Sequence, residues 1–163
     1  MDYDLIIIGA GPAGYVAGIR AGQAGLKTAV IEKKHVGGMC LNWGCIPSKA
    51  MLESAKYFSR LGMAADFGVE GLDPKSLKFS WEKGVKRSER IVRRLTKGVE
   101  YLLKKNNVET INGSASIESA DTVVVDNRLL KAKNIIIATG SYPRPLPFKV
   151  GDESRIINLE KMF

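Results

Sequence analysis

The sequence is short of what a metal centre needs: its 163 residues include two cysteines, Cys40 and Cys45, and one histidine, His35. Structural zinc is held by about four sulfur or nitrogen ligands, so these three fall short and no metal is expected. Long apolar runs are missing too. Leu5-Ile6-Ile7-Ile8 is typical of the runs present, and crossing a bilayer takes about 20 apolar residues. No basic segment precedes Leu5, and the run is too short for a secretory signal core. A cytoplasmic chain with no membrane partner is therefore expected. Acidic side chains are outnumbered, 17 against 25 basic ones, but the imbalance is local. Trp81 to Lys105 contains nine basic and three acidic residues. The solvated face of one amphipathic helix explains that without a nucleic-acid partner.

Hydrophobic residues make up 45% of the chain, enough for one ordinary domain with a buried core. Asp4-Leu5-Ile6-Ile7-Ile8 reads as a short strand buried on both faces of a parallel sheet. It runs into Gly9-Ala10-Gly11-Pro12-Ala13-Gly14, a G-x-G-x-x-G turn, then a small-residue helix over Tyr15 to Ala24. A second strand, Lys27 to Ile31, closes on Glu32. The unit is β-α-β. Gly9 suits the tight turn, Gly11 a close approach of backbone to a pyrophosphate, and Gly14 close helix–strand packing. The helix N-terminus offers free N–H groups and positive dipole. Glu32 is placed to accept hydrogen bonds from ribose hydroxyls. Together these point to dinucleotide binding and leave flavin and nicotinamide nucleotides both open.

The two cysteines stand in Gly37-Gly38-Met39-Cys40-Leu41-Asn42-Trp43-Gly44-Cys45-Ile46-Pro47-Ser48-Lys49. In a regular helix, residues five apart have Cα atoms roughly 8–9 Å apart, too far for a disulfide. A bridge would need an irregular turn, for which Gly44 is suited. Pro47 fits the first turn of a following helix, whose positive end favours a thiolate just ahead of it. The spacing leaves a redox pair, a buried thiol pair and a structural disulfide open. A reducing compartment favours the first.

Further along, a helix is expected over Pro47 to Leu61, with a packing stripe of Met51, Leu52, Ala55, Phe58 and Leu61. A longer helix is expected over Phe79 to Lys105, with a seam of Trp81, Val85, Ser88, Val92, Leu95, Val99 and Leu102, weakened slightly by Gly84 and Gly98. The two would form a two-helix layer. Val108 to Ile111 resumes β structure. Ser116-Ile117 and Thr122 to Val125, with a turn at Asp126-Asn127, read as a small hairpin or meander. Asn134 to Ala138 reads as another fully buried strand, ending in Thr139-Gly140-Ser141 and a proline-stiffened exit through Tyr142 to Pro147.

The Gly9–Gly14 turn, Glu32, the Gly37–Lys49 segment and Ala138-Thr139-Gly140 together resemble the N-terminal part of a pyridine nucleotide–disulfide oxidoreductase. Cys-Leu-Asn-Trp-Gly-Cys-Ile-Pro-Ser-Lys is most similar to the branch that oxidises dihydrolipoamide. Mercuric reductases share the Pro-Ser-Lys ending, so they and other disulfide reductases are the alternative within the family. A non-catalytic flavin- or nucleotide-binding module is the alternative outside it.

The resemblance implies an α/β fold: a Rossmann-like FAD-binding domain with a parallel sheet, a two-helix layer and a small antiparallel β-meander. Residues 1–147 would be its first, incomplete segment, and residues 148–163 an exit toward an NAD-binding domain. FAD would be the tightly bound cofactor and NAD the co-substrate. Gly9, Gly11, Pro12, Ala13 and Gly14 would line the pyrophosphate, and Glu32 with Lys33 the adenosine ribose. Gly38 and Met39 would touch the cofactor, Ala115 would meet the adenine, and Thr139, Gly140 and Ser141 would close over its middle. Lys49 would reach the flavin ring. Cys45 would exchange electrons with the flavin, and Cys40 would form the mixed disulfide with dihydrolipoamide carried on a lipoyl domain. Family members are much longer, and those of the dihydrolipoamide branch would be homodimers that serve 2-oxo acid dehydrogenase complexes and take a catalytic His–Glu pair from the partner subunit. His35 does not match that histidine. The chain alone is accordingly expected to lack full turnover.

Overall fold

The computed structural model describes residues 1–144, 147, 148 and 162. The exit segment expected over 148–163, and with it the boundary near 147, lies largely outside them.

The apolar strand forms as its composition dictates: β1 is Tyr3–Ile8, with Ile6 and Ile7 fully buried. Helix α1, Pro12–Gln23, follows the glycine turn, and β2, Thr28–Glu32, pairs parallel with β1. Pro12 at the head of α1 lacks an N–H where none is needed. The cysteine segment is helical on both sides of a break, with α2 at Gly38–Asn42 and α3 at Cys45–Leu61. Two short 3-10 turns, Ala64–Phe67 and Pro74–Ser76, lead to α4, Trp81–Lys105. Ser80 caps α4 by accepting the Lys83 backbone N–H through its hydroxyl. The remaining strands are β3 Glu109–Asn112, β4 Ala115–Ser119, β5 Thr122–Val125 and β6 Arg128–Ile137.

The six strands form one sheet in the order β3-β2-β1-β6-β5-β4. Its first four strands are parallel; β6, β5 and β4 are antiparallel. The two parts are joined through β6, which is longer than expected because Arg128 to Lys133 continues into the apolar run. Leu130 and Ala132 point inward on either side of Lys131, a period-two signal hidden by Leu129 and the lysines. Alternation along β1 divides the core. Ile6 and Ile8 cluster with Ile31, Val123, Val125 and Leu130, so the meander covers that face. Leu5 and Ile7 cluster with Ala21, Val30, Val99 and Leu103, so α1 and α4 cover the other.

Three packing expectations need correction. The strand expected to be buried throughout near Asn134–Ala138 exposes Ile136 and Ile137. There, among the described residues, β6 pairs only with β1, because its pairing with β5 ends at Lys131. On α4 the buried positions are Gly84, Ser88, Val99 and Leu103, whereas Trp81, Leu95 and Leu102 are exposed. Helix α3 packs through Pro47, Ala50 and Met51, leaving Leu52, Ala55, Phe58 and Leu61 outward. The α3–α4 layer itself is present, joined by the Arg87 guanidinium donating to the Ala50 carbonyl at 3.0 Å. Gly84 is a crossing point in it, since a Cβ there would stand 3.1 Å from the Phe79 ring and 3.3 Å from Met51.

Candidate functional site

The carboxyl ends of β1, β2 and β6 converge on one cleft of about 570 Å³, within the range of small-molecule sites. This is the edge at which open α/β sheets bind ligands. On the β1 side, Gly9 takes φ +104°, and its N–H donates to the Ile31 carbonyl at 2.7 Å. A Cβ at Gly9 would stand 2.3 Å from the Ala138 carbonyl oxygen, so only glycine lets the loop after β6 pass this close. Gly14 is equally constrained, its missing Cβ falling 1.8 Å from the Gly9 carbonyl oxygen. Helix α1 has no side-chain cap and no acid in its first turn. Its first N–H groups and dipole are left to face the cleft.

Glu32 lines the cleft at the end of β2 and already has protein partners. One carboxylate oxygen accepts the Ala10 N–H at 2.8 Å; the other accepts the N–H groups of Lys34 at 2.9 Å and His35 at 3.3 Å. The carboxylate therefore splints the glycine turn to the loop after β2.

The thiols reach the same cleft through a second set of glycines. Gly37, at φ +98°, donates its N–H to the Ala10 carbonyl at 2.8 Å. A Cβ on Gly38 would stand 2.8 Å from the Gly11 Cα. The two glycine turns are thus in backbone contact, which seats α2 against the phosphate-type turn. Cys40 lies in α2, and Cys45 is the first residue of α3. The helix breaks at Trp43–Gly44, the irregular turn that the five-residue spacing demanded. Gly44 serves it by close approach, since a Cβ there would meet the Met39 carbonyl oxygen at 2.9 Å and the Cys40 Cα at 3.3 Å. Its φ of −113° is not left-handed.

Both cysteines are free thiols here, Cys40 half-buried and Cys45 exposed. Their side chains are within hydrogen-bond contact, and that contact, ahead of burial and of the Cys45 charge, pushes the Cys40 thiol above its ordinary value. The Cys45 backbone N–H and the Lys49 ammonium pull the other way. Two thiols in contact are placed where a dithiol–disulfide exchange could join them.

The structure brings Gly9, Gly11, Pro12, Glu32, Lys33, Gly38, Met39, Cys40, Cys45, Thr139, Gly140 and Ser141 to the wall of this cleft. Ala115 lines an adjoining cavity of about 120 Å³ that shares Gly9, Glu32, Lys33 and Thr139 with it. Ala13, Gly14 and Lys49 do not line it. Gly14 is buried in the helix–strand contact, and Lys49 is exposed one helical turn beyond Cys45, acting on the Cys40 thiol through its charge. His35 and Tyr142 also line the cleft and had no motif to mark them, and Trp43 and Ser48, inside the cysteine segment but assigned no role there, line it too. The Trp43 and His35 rings meet edge to face, centroids 5.6 Å apart. Among the described residues no group of three or more His, Cys, Asp or Glu could hold a metal, and no helix is long and apolar enough to cross a membrane.

A dinucleotide fits what is present: an uncapped helix start behind a glycine turn, an acid at the second strand end, and a cleft running on to a thiol pair. Fold and site define an α/β protein of the dinucleotide-binding kind with two thiols in the wall of its cleft. A family model described as pyridine nucleotide-disulphide oxidoreductase matches residues 3–162, and the chain belongs to that family. It is 51% identical over 140 residues to a dihydrolipoyl dehydrogenase of Acholeplasma laidlawii, covering 86% of this chain and 41% of that one. Against the dihydrolipoyl dehydrogenase of Chlorobaculum tepidum the identity is 44%, covering 96% and 34%. Against the mitochondrial dihydrolipoyl dehydrogenase of Schizosaccharomyces pombe it is 42%, covering 96% and 32%. The chain spans about a third to two fifths of the length of these relatives.

Proposed function

We propose that this chain carries the FAD seat and the redox dithiol of an enzyme that oxidises dihydrolipoamide with NAD+. The observation behind the reading is the shared cleft, whose wall brings together the uncapped start of α1, Glu32 and the contacting thiols of Cys40 and Cys45. The names of the relatives support the substrate.

In the oxidised state Cys40 and Cys45 would be joined by a disulfide. A thiolate of dihydrolipoamide attacks the Cys40 sulfur, forming a mixed disulfide and releasing Cys45 as thiolate. The second substrate sulfur then displaces Cys40, so lipoamide leaves with the disulfide and the protein keeps two thiol groups and the two electrons. Cys45, the leaving sulfur, stands at the first turn of α3, and its side chain is the partner that holds the Cys40 thiol above its ordinary value. Bound FAD supplies the two-electron acceptor that restores the disulfide, with NAD+ as final acceptor. Gly9, Gly11 and the first N–H groups of α1 would hold its pyrophosphate, and Glu32 its ribose. The lipoyl-domain partner, the 2-oxo acid dehydrogenase complex and a homodimeric assembly belong to this same proposal.

The test is anaerobic. The chain is reconstituted with FAD, oxidised, and titrated with dihydrolipoamide while free thiols are counted. Two new protein thiols per chain, lost in Cys40→Ser and Cys45→Ser, are expected. Uptake of FAD without any thiol gain would refute the dithiol role, and failure to take up FAD would refute the seat.

A further inference from the structure

Lys33 follows β2, and Tyr142 follows β6. These strands flank β1 on opposite sides, so the two residues stand across the glycine turn from one another. Both line the cleft, yet they reach each other: the Lys33 Nζ lies 4.8 Å from the centroid of the Tyr142 ring. The ammonium also hydrogen-bonds the Tyr142 hydroxyl, which holds the lysine above its ordinary value. Lys33 is exposed and Tyr142 is 62% exposed, so the bridge lies at the rim of the cleft, where water competes with it and it can open. A dinucleotide stretched along the carboxyl edge of the sheet, with its pyrophosphate at the start of α1, has to run beneath the line joining the two side chains.

We propose that Lys33 and Tyr142 form a latch across the mouth of the cleft, making Tyr142 a determinant of how long a bound dinucleotide is retained. The inference rests on the FAD seat proposed above. It is confined to this chain's own residues. The closed latch bridges the loops after β2 and β6 and narrows the exit route. Opening it breaks one cation–ring contact and one hydrogen bond at an exposed position. An exposed contact of this kind changes an escape rate by about two- to fivefold.

Two readouts test it. FAD release is followed by the recovery of flavin fluorescence on dilution of the loaded chain, for the wild type, Tyr142→Ala, Lys33→Met and the double variant. Each single variant is expected to release FAD about two- to fivefold faster, and the double variant no faster than the quicker single one. Unchanged release in Tyr142→Ala, or single effects that multiply in the double variant, would overturn the latch. The second readout needs no flavin. Reductive methylation with carbon-13 gives each lysine a signal whose pH midpoint can be followed, and Lys33→Met identifies the one for Lys33. Its midpoint is expected to fall in Tyr142→Ala; an unmoved midpoint would also overturn the proposal. A wild-type chain that binds no FAD refutes the seat, and the latch then stands or falls on the Lys33 midpoint alone.

Discussion

Replacing Gly14 with alanine inserts a methyl group where α1 lies on the glycine turn. The added Cβ would stand 1.8 Å from the Gly9 carbonyl oxygen and 2.9 Å from its carbon. Carbon–oxygen contacts settle at about 3.3 Å or more, so the start of α1 has to retreat by roughly 1.5 Å. Neither side can yield by rotating a side chain, because the obstacle is backbone whose N–H is tied to Ile31 at 2.7 Å. Overpacking costs about 1–3 kcal/mol, and a backbone obstacle puts this site at the upper end. Against it, alanine gains at most about 1 kcal/mol over glycine in a helix. The net loss is about 2 kcal/mol. In urea, with a slope of about 1–3 kcal/mol per molar, the unfolding midpoint should fall by roughly 1 M. The retreat also withdraws the N–H groups of the first turn, so FAD affinity should drop with stability. Gly98→Ala in α4 is the control, for nothing lies within 4 Å of its new Cβ. It should gain up to about 1 kcal/mol. A Gly14→Ala chain with the wild-type midpoint and affinity would refute the packing argument.

Further outcomes follow from the core and the thiols. Leu103 is fully buried while Leu102 is 42% exposed. Leu103→Ala should therefore cost about 2–5 kcal/mol of unfolding free energy, and Leu102→Ala about 0.5; the reverse order would restore the seam read from spacing. The Cys40 thiol is held above its ordinary value chiefly by its hydrogen bond with Cys45. Cys45→Ala removes that hold, so more Cys40 is thiolate at any given pH below its midpoint. Alkylation of Cys40 by iodoacetamide should then be faster near neutral pH, with a pH–rate curve displaced to lower pH. An unchanged curve would show that Cys45 does not hold the Cys40 thiol up.

Much of the site could be read along the chain because its parts are short and local. The strand, glycine turn, helix and acid at the next strand end are all set within about thirty residues, and each residue type acts through its own backbone. The thiol pair is as local, and the need for a broken helix between Cys40 and Cys45 followed from helix geometry alone. The α4 seam was harder. Positions three and four apart fit more than one stripe on a helix of 25 residues, and the stripe chosen depends on what the partner offers. Here α3 offers Ala50 and Met51, so a glycine and a serine face it, and the larger Trp81 and Leu95 turn outward. In β6 the flanking lysines masked an alternation whose inward members are only Leu130 and Ala132.

The sequence by itself determined the βαβ unit, the glycines on which close backbone approach depends, and the proximity of Cys40 to Cys45. Each follows from steric and hydrogen-bonding rules within a few residues of chain. Only the tertiary structure decided that these parts form one site. Gly38 meets Gly11, Ala138 passes over Gly9, Ala115 opens beside Glu32, and Tyr142 reaches Lys33, joining positions up to more than a hundred residues apart. Which distant residues meet is set by strand order and by the faces that burial selects. Neither can be read from spacing along the chain.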